Sequence, residues 1–430
     1  MTTTDVVVVG AGVVGTSTAL ELSRAGFSVT VVDRASAPGH GSTSASSAVI
    51  RYNYSTWEGM AAAWESKFRW ENWEEHLGIH PSSRPAAFIP CGLAFVDVEI
   101  MPRERQAALL GAGGIPHQIW GPSKLATRIP GIDVGRYWPP KPVTSEEFFA
   151  DAAESLGAIY TPDAGFVNDP QLAAANLAEA AAHHGATFLF RREVVAIDRV
   201  SPDWRVTLGD GSVVHAPILV NAAGPWSSKL NRLAGIGGDF TVEIAPLRQE
   251  VHHVPAPPRL GDEVPIIVDA DLGIYVRPDS GGNLLIGGTE PACDPLEWID
   301  DPDTADPNPT VARFEAQILR GARRLPDLGV PNRPRGIAGV YDVASDWTPI
   351  YDRTESDGYF VAMGTSGNQF KNAPLVGSLM LAIIEGVQRG HDHDADPITY
   401  TAPHTGHRID LGAFSRKRPL DSVTSGTVLG

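Results

Sequence analysis

The chain has 430 residues, of which 43% are hydrophobic and 20% charged, as in an ordinary globular protein of two or three domains. Its 34 basic and 51 acidic side chains give a net charge of −17, which argues against nucleic acids and anionic membranes as partners. Two distant cysteines exclude a disulfide framework and a cysteine-based zinc site, and an N-terminus without a basic region predicts no signal peptide. We therefore expect a cytoplasmic protein.

The predicted elements begin with a strand, a glycine-rich turn, a helix and a second strand over residues 5–34. In residues 55–77 apolar side chains recur three or four positions apart, which predicts a helix whose aromatic residues pack in the core. Further helices are predicted over 170–184 and near 311–324, strands over 240–290, an acidic loop over 291–310, and a last strand–turn–helix over 358–387. Strand and helix signals alternate along the chain, which predicts α/β and α+β parts that interleave.

The first turn has the sequence VVVVGAGVVG, with Gly10, Gly12 and Gly15 in GxGxxG spacing. These glycines permit a tight turn, close approach of a pyrophosphate and close packing of the helix on the strand. The second strand ends at Asp33, where a carboxylate can accept hydrogen bonds from ribose hydroxyls and disfavours a cofactor with a 2′-phosphate. The pattern predicts a dinucleotide site for NAD or FAD.

Three later segments favour the longer dinucleotide, FAD. They are GHGSTSASSAVIRY (39–52), PILVNAAGPWS (217–227) and GYFVAMGTSGNQFK (358–371). A cofactor that contacts both the first and the last tenth of a chain must be long or lie deep between two domains. An NAD-dependent Rossmann dehydrogenase stays an alternative, as does a non-catalytic flavin-binding subunit of a larger complex.

The order and spacing of these segments resemble the D-amino acid oxidase/sarcosine oxidase-type flavoproteins, which include glycine oxidase and dimethylglycine dehydrogenase. The resemblance also covers GIYVRPDSGGNLLIGG (273–288) and DWTPIYD (346–352). It implies an α/β, Rossmann-like FAD-binding domain interleaved with an α+β substrate domain built on an antiparallel sheet. The implied boundaries are 1–80, 148–225 and 335–395 for the FAD-binding domain, 81–147 and 226–334 for the substrate domain, and 396–430 for a C-terminal tail.

The resemblance implies FAD-dependent oxidation of a C–N bond in an amino acid or N-alkyl amino acid that carries a carboxylate. Hydride would pass to the flavin, the imine would be hydrolysed, and O₂ or another acceptor would take the electrons. The sequence leaves the choice between oxidase and dehydrogenase open, along with the substrate side chain and the oligomeric state.

By the same resemblance, Arg51 and Lys371 would clamp the substrate carboxylate. The alternatives are an ion pair of Lys371 with a structural carboxylate, and a structural or flavin contact for Arg51. Tyr275 and Trp347 are further candidates for the substrate site, because aromatic rings can surround an amine. The candidate cofactor-binding residues are Gly10, Gly12, Gly15, Asp33, Arg34, Ser42, Thr43, Ser46, Ser47, Val194, Ala223, Gly224, Trp226, Gly339, Gly364, Gly367, Asn368, Gln369, Phe370 and Lys371.

The sequence also departs from the family pattern. Gly339 stands where some members attach flavin through a cysteine, and His40 is offset from the position of an attaching histidine, so we expect noncovalent FAD. Leu285 replaces the lysine that activates oxygen in sarcosine oxidase.

Two histidine-containing segments are candidates for other chemistry. Either His252 or His253 in QEVHHV could act as a base, although packing or surface exposure is the simpler interpretation. The segment HDHDAD (391–396) is interpreted as a solvated turn and not as a metal site.

Overall fold

The computed structural model describes residues 2–261, 264–420 and 425–430, and its first layer is a six-stranded sheet. Five strands of this sheet are parallel, and the sixth, at the edge, is antiparallel. The strand order is Thr187–Leu189, Val29–Val32, Val6–Val9, Ile218–Asn221, Tyr359–Met363 and Ile350–Arg353. The strand that precedes the glycine turn is fully buried, so its four consecutive valines fit a parallel sheet covered on both faces.

Helices cover this sheet, and the first helix of the chain packs against two others. The first helix, Val13–Arg24, packs against both Pro170–His183 and the apolar Ala373–Gln388. The remaining described α-helices are Trp57–Glu71, Trp73–Leu77, Arg103–Ala112, Pro122–Arg128, Ser227–Ala234 and Val311–Arg324. The predicted helix over 55–77 is therefore two helices, separated at Asn72, whose φ of −113° and ψ of 50° are not helical.

The second layer is a nine-stranded sheet that is antiparallel except where Leu93–Val96 runs parallel to Ile266–Asp269. Its other strands are Gln118–Trp120, Ala158–Thr161, Ile244–Pro255, Ile274–Asp279, Asn283–Gly288, Glu297–Trp298 and Gly336–Ala344. Helix Val311–Arg324 covers one face of this sheet and shares its core cluster. The predicted fold class is confirmed by these two layers.

Sheet membership divides the chain differently from the boundaries implied by the sequence. Strands Ala158–Thr161 and Gly336–Ala344 both belong to the antiparallel sheet, although the sequence assigned them to the FAD-binding segments. Three smaller sheets complete the described structure. They consist of Thr2–Thr3, Val194–Val200, Asp203–Leu208 and Val213–Ala216; of Val49–Ile50, Phe88–Pro90 and Gly165–Val167; and of Thr399–Thr401 and Arg408–Asp410.

One apolar segment, Phe370–Gln388, has the length and composition of a membrane-spanning helix. Most of it, 72%, is buried inside the fold, where it packs against helices Val13–Arg24 and Trp57–Glu71. Its apolar composition is accounted for by this burial.

Candidate functional site

A cavity of about 560 Å³ runs along the carboxyl ends of the parallel strands and reaches the antiparallel sheet. Its wall includes the glycine turn, residues 40–51, residues 192–194, residues 222–226 and residues 367–371. Ligands of open parallel sheets bind at this edge, and the volume is that of a typical small-molecule site. Segments distant in sequence therefore form one site.

The glycine turn is packed too closely for side chains at two positions. At Gly10, where φ is +109°, a Cβ atom would lie 2.2 Å from the carbonyl oxygen of Ala222. At Gly15 a Cβ atom would lie 1.9 Å from the Gly10 carbonyl oxygen. At Gly12, by contrast, the only neighbour within 4 Å is Thr43 Oγ1, at 3.2 Å. The turn is tightly packed against the protein but leaves room above Gly12 on the cavity side.

Hydrogen bonds hold the polar groups around the glycine turn in place. Asp33 accepts from the backbone N–H groups of Ala11 at 2.6 Å and Ala35 at 2.7 Å, one on each carboxylate oxygen. Thr43 Oγ1 accepts from the N–H of Val13 at 3.1 Å, at the start of the first helix. Each Asp33 oxygen keeps a second lone pair, so the carboxylate is oriented and can still accept from a ligand hydroxyl.

An ion cluster closes the outer end of the cavity. Asp303 pairs with Arg34 at 2.5 Å and Lys229 at 3.1 Å, and accepts from Trp226 Nε1 at 2.9 Å. The Arg34 guanidinium lies 4.2 Å from the centre of the Trp226 ring. Asp303 belongs to the acidic loop, so this loop contributes a contact at the site that the sequence did not predict.

The structure brings most of the predicted residues together. Four do not reach the cavity wall: Gly15 and Gly364 pack against protein, Gly339 packs on the 39–52 loop, and Trp347 lies in a separate apolar cluster. The predicted residues that line the cavity are Gly10, Gly12, Asp33, Arg34, Ser42, Thr43, Ser46, Ser47, Arg51, Val194, Ala223, Gly224, Trp226, Tyr275, Gly367, Asn368, Gln369, Phe370 and Lys371.

Arg51 and Lys371 are two buried cations that line the same cavity, with 5% and 3% of their surfaces exposed. Burial, followed by the charge of Arg51, lowers the pKa of Lys371 well below its usual value. Among the residues described, neither cation has a carboxylate oxygen within 4 Å. The ion pair with a structural carboxylate that the sequence left open for Lys371 is therefore not found in that part of the chain.

Neutral groups accept hydrogen bonds from both cations. Lys371 Nζ donates to Asn368 O at 2.5 Å and to Tyr54 Oη at 3.2 Å. Arg51 donates to the carbonyl oxygen of Asn53 and, through Nη2, to those of Val428 at 2.8 Å and Leu429 at 2.9 Å. The arginine predicted to bind a substrate carboxylate is thus occupied by the main chain of this protein.

Tyr275, on strand Ile274–Asp279 of the antiparallel sheet, contacts the 39–52 loop of the FAD-binding segments. Its hydroxyl is 2.6 Å from Ser47 Oγ, and burial raises its pKa to about 12. Its ring covers Gly287, where a Cβ atom would lie 2.5 Å from the ring atoms. Leu285 is two positions away on the same strand and does not line the cavity.

Sequence reasoning missed Asp342, which lines the cavity and is 1% exposed. Thr365 Oγ1 donates to Asp342 Oδ1 at 2.5 Å, whereas Oδ2 has no partner among the described residues. Burial raises the pKa of this carboxyl group. A buried polar atom without a partner is costly, so this one fits a site that is completed by a ligand.

The histidines of the two other candidate segments lie outside the cavity wall. His252 is buried between Gln317, at 2.8 Å, and Glu250, at 3.2 Å. His393 is 1% exposed, so the interpretation of HDHDAD as a solvated turn is wrong at this residue. The neighbouring Asp394 and the buried Asp352 both pair with Arg416, which holds this segment against the fold.

These features fit FAD on the chemistry of the described residues. Gly12 leaves room for a pyrophosphate, Asp33 keeps acceptor capacity for a ribose, and Asp342 offers an unpaired oxygen further along the cavity. Arg34 and Trp226 lie at the end of the cavity that contacts Asp303. Lys371 lies at the opposite end, just before helix Ala373–Gln388.

A family model described as "DAO: FAD dependent oxidoreductase" matches residues 5–383 of the chain. The glycine oxidase of Geobacillus kaustophilus (strain HTA426) is 31% identical over 246 residues, which are 56% of this chain and 59% of that relative, less than two thirds of its length. The FAD-dependent oxidoreductase domain-containing protein 1 of Xenopus laevis is 27% identical over 415 residues, covering 88% of this chain and 79% of that protein.

Solved structures of similar fold include a glycine oxidase. Glycine oxidase from Geobacillus kaustophilus superposes with a TM-score of 0.72 at 23% identity, covering 98% of this chain and 100% of that one. L-proline dehydrogenase from P. horikoshii gives a TM-score of 0.76 at 22% identity, with coverages of 97% and 98%. At these identities the superpositions establish a shared fold.

Proposed function

Because the chain belongs to the DAO family of FAD-dependent oxidoreductases, we propose that it uses noncovalent FAD to oxidise a C–N bond in an amino acid or N-alkyl amino acid. Membership in this family excludes the alternative of an NAD-dependent Rossmann dehydrogenase. The observation that carries the substrate class is the pair of buried cations, Arg51 and Lys371, in the wall of the cavity that begins at the glycine turn.

A buried cation is unfavourable unless an anion or strong hydrogen bonds compensate for its lost hydration. Carbonyl oxygens and the Tyr54 hydroxyl accept hydrogen bonds from Arg51 and Lys371, but these neutral groups do not neutralise positive charge. A substrate carboxylate that reached both groups would do so, and its binding would favour the protonated form of Lys371. This supports a substrate that carries a carboxylate.

When bound, FAD would supply the oxidant for the C–H bond next to an amine, and water would hydrolyse the imine product. The chain's own contribution is to bind and orient the substrate. Arg51 and Lys371 would fix its carboxylate. The hydroxyl groups of Tyr54, which contacts Lys371, and of Tyr275, which lines the cavity, have pKa values raised to about 12 and would stay protonated and neutral. Orientation of this kind supplies much of the rate enhancement when little acid–base chemistry is needed.

The noncovalent state of FAD is supported by the residue at one attachment position, Gly339. Gly339 has no reactive side chain, and a Cβ atom there would lie 2.7 Å from Ala45 Cβ, so the position is packed against the 39–52 loop. Acid precipitation of the purified protein is expected to release all yellow colour into the supernatant. Colour that stays in the protein pellet would contradict this part of the proposal.

The test of the activity is anaerobic mixing of the FAD-loaded protein with amino acids and N-methyl amino acids. Matched methyl esters and decarboxylated amines serve as controls that lack the carboxylate. Acids are expected to bleach the flavin absorbance, and their esters and amines to do so at least about 30-fold less efficiently, from the loss of a charged hydrogen-bond partner. Equal use of acid and ester would refute the carboxylate clamp, and no bleaching by any compound would favour a non-catalytic flavin-binding subunit.

A further inference from the structure

Residues 425–430 lie across the substrate end of the cavity. Val428 and Leu429 both line the cavity, and Leu429 is 2% exposed. Ser55 Oγ donates to the carbonyl oxygen of Gly430 at 2.6 Å, which fixes the segment beyond these two residues. The chain therefore places its own main chain at the point where a substrate carboxylate is expected.

Val428 is held by two groups of opposite polarity. Its N–H donates to Glu290 Oε2 at 3.1 Å, and its carbonyl oxygen accepts from Arg51 Nη2 at 2.8 Å. Nitrogen, Cα, carbonyl carbon and oxygen of one residue form the skeleton of an α-amino acid. Val428 thus presents the nitrogen of that skeleton to an acid and its carbonyl oxygen to a cation, as an α-amino acid with a protonated amine would.

The side chain of Val428 extends this similarity. It packs against a cluster formed by Leu247, Val343 and Trp347, with Tyr341 packed on the same cluster, and it also contacts the main core. A branched aliphatic side chain therefore has an apolar pocket when its nitrogen faces Glu290 and its carbonyl faces Arg51. The mirror-image amino acid, held by the same two anchors, would direct its side chain away from this cluster.

Glu290 is suited to a group that exchanges a proton with an amine. It follows Thr289 of the cavity wall, and its backbone has a φ of +51°. Burial raises the pKa of Glu290 to about 8, although the N–H of Val428 and the charge of Arg313 act in the opposite direction. A carboxylate with such a pKa can take a proton from a bound ammonium group, and amine oxidation requires the neutral amine.

We propose that Val428 occupies the position of the substrate in the resting protein, and that Glu290 binds the amine of an L-α-amino acid, free or N-methylated, with a branched aliphatic side chain. This inference rests on the proposed function, of which it names the substrate class. The substrate ammonium passes one proton to the Glu290 carboxylate. The substrate amine is then neutral, and the side chain of Glu290 is a neutral carboxylic acid. An N-methyl group falls where the chain continues from Val428 to Thr427.

The experiment uses the full chain with FAD under anaerobic conditions. Bleaching of the flavin is measured with L-valine, N-methyl-L-valine and D-valine, in the wild type and in Glu290→Gln. Glutamine keeps an acceptor for the Val428 N–H but cannot take the proton. The matched ligand is isovalerate, which is valine without its amine, and its affinity is measured by calorimetry.

We expect the L-enantiomers to be used at least about tenfold more efficiently than D-valine. Glu290→Gln is expected to lower the specificity constant for L-valine by about 10- to 100-fold and to leave isovalerate affinity within about twofold, because only the amine contact is lost. Equal use of both enantiomers, or a variant that affects valine and isovalerate alike, would overturn the inference while the proposed function stands.

Displacement of residues 425–430 has its own readout, which does not depend on turnover. Saturating isovalerate is expected to increase amide hydrogen exchange in this segment at least about tenfold, because the ligand takes the Arg51 contact. If no amino acid bleaches the flavin, the proposed function fails, and this exchange measurement still decides whether Val428 stands in a ligand position. Unchanged exchange in the presence of bound isovalerate would show that the segment is a fixed part of the wall.

Discussion

The nucleotide end and the substrate end of the cavity depend on different kinds of interaction. The nucleotide end is centred on the first 35 residues, with residues 192–194 and 222–226 beside them. It depends on backbone groups, close packing and one oriented carboxylate, Asp33. The substrate end joins residues as far apart as Arg51 and Val428, 377 positions in sequence, and depends on buried charge. The first end should therefore be sensitive to added volume, and the second to lost charge.

The largest effect is expected at the nucleotide end, from Gly10→Ala. Its Cβ atom would lie 2.2 Å from a backbone oxygen at a φ of +109°, so the turn must move away from the phosphate position. We expect FAD affinity to fall by more than about 100-fold, measured by titration of the apoprotein with FAD.

Gly26→Ala is the matched control for this substitution. Gly26 has a similar φ of +93° but nothing within 4 Å of an added Cβ atom, so it carries the backbone strain without the collision. Its melting temperature should fall while FAD affinity stays within about twofold, since the strain costs about 1–3 kcal/mol away from the site. Equal loss of FAD in both variants would show that strain and not volume governs the turn.

At the substrate end, Lys371→Met should separate catalysis from cofactor binding. Loss of the charge is expected to lower the specificity constant for a carboxylated substrate by about 30- to 1,000-fold, or roughly 2–4 kcal/mol, with little change in FAD affinity. Substitution of an exposed lysine, Lys124→Met, is the control. A parallel loss of FAD and melting temperature would instead assign Lys371 to the fold.

The pH dependence of anion binding gives the same residue a second test. Because the pKa of Lys371 is lowered, its charge is lost as pH rises through that lowered value, well below the usual range for lysine. Affinity for a carboxylate ligand is expected to fall over that pH range in the wild type. Lys371→Met should lose this part of the pH dependence, and a variant that keeps the full wild-type pH profile would contradict the assignment.

The smallest effect is expected from Asp342→Asn, between the two ends. The carboxyl group has a raised pKa, so its charged form is disfavoured in the fold, and the free energy of unfolding should fall as pH rises from the unfolded value through the raised one. The variant should lose this slope, and its apoprotein should melt higher at neutral pH. Its FAD affinity should fall a few-fold, because Oδ2 is expected to accept a hydrogen bond from the cofactor. A rise in both melting temperature and FAD affinity would show that Oδ2 makes no such bond.

Features carried by local sequence were predictable. The glycine turn follows from residue type and spacing, and helix Val311–Arg324 lies within a residue of its predicted position. Lys371 and Arg51 were found because each lies in a motif, and the structure brings both to one cavity.

Features made by tertiary contact were not predictable. Glu290 and Val428 are 138 positions apart, and neither stands in a pattern that indicates a site. Trp347, named as a candidate, has a φ of +61° and packs in a cluster behind the cavity. His393 was assigned to solvent because its burial depends on distant groups, among them Asp352 and Arg416.

The contact between the first and last helices also bears on how the protein is made. A Cβ atom at Gly377 would lie 2.2 Å from the carbonyl oxygen of Ser17, and the N–H of Gly377 donates to Ser17 Oγ, 360 positions earlier. At about 5–20 residues per second, the ribosome needs roughly 20–70 s to add the second partner after the first. In the first part of that interval strand Val6–Val9 lacks its neighbour Ile218–Asn221, and throughout it helix Val13–Arg24 lacks its partner Ala373–Gln388. The wall of the cavity includes residues 367–371, so the FAD site is complete only after these residues have been added to the chain.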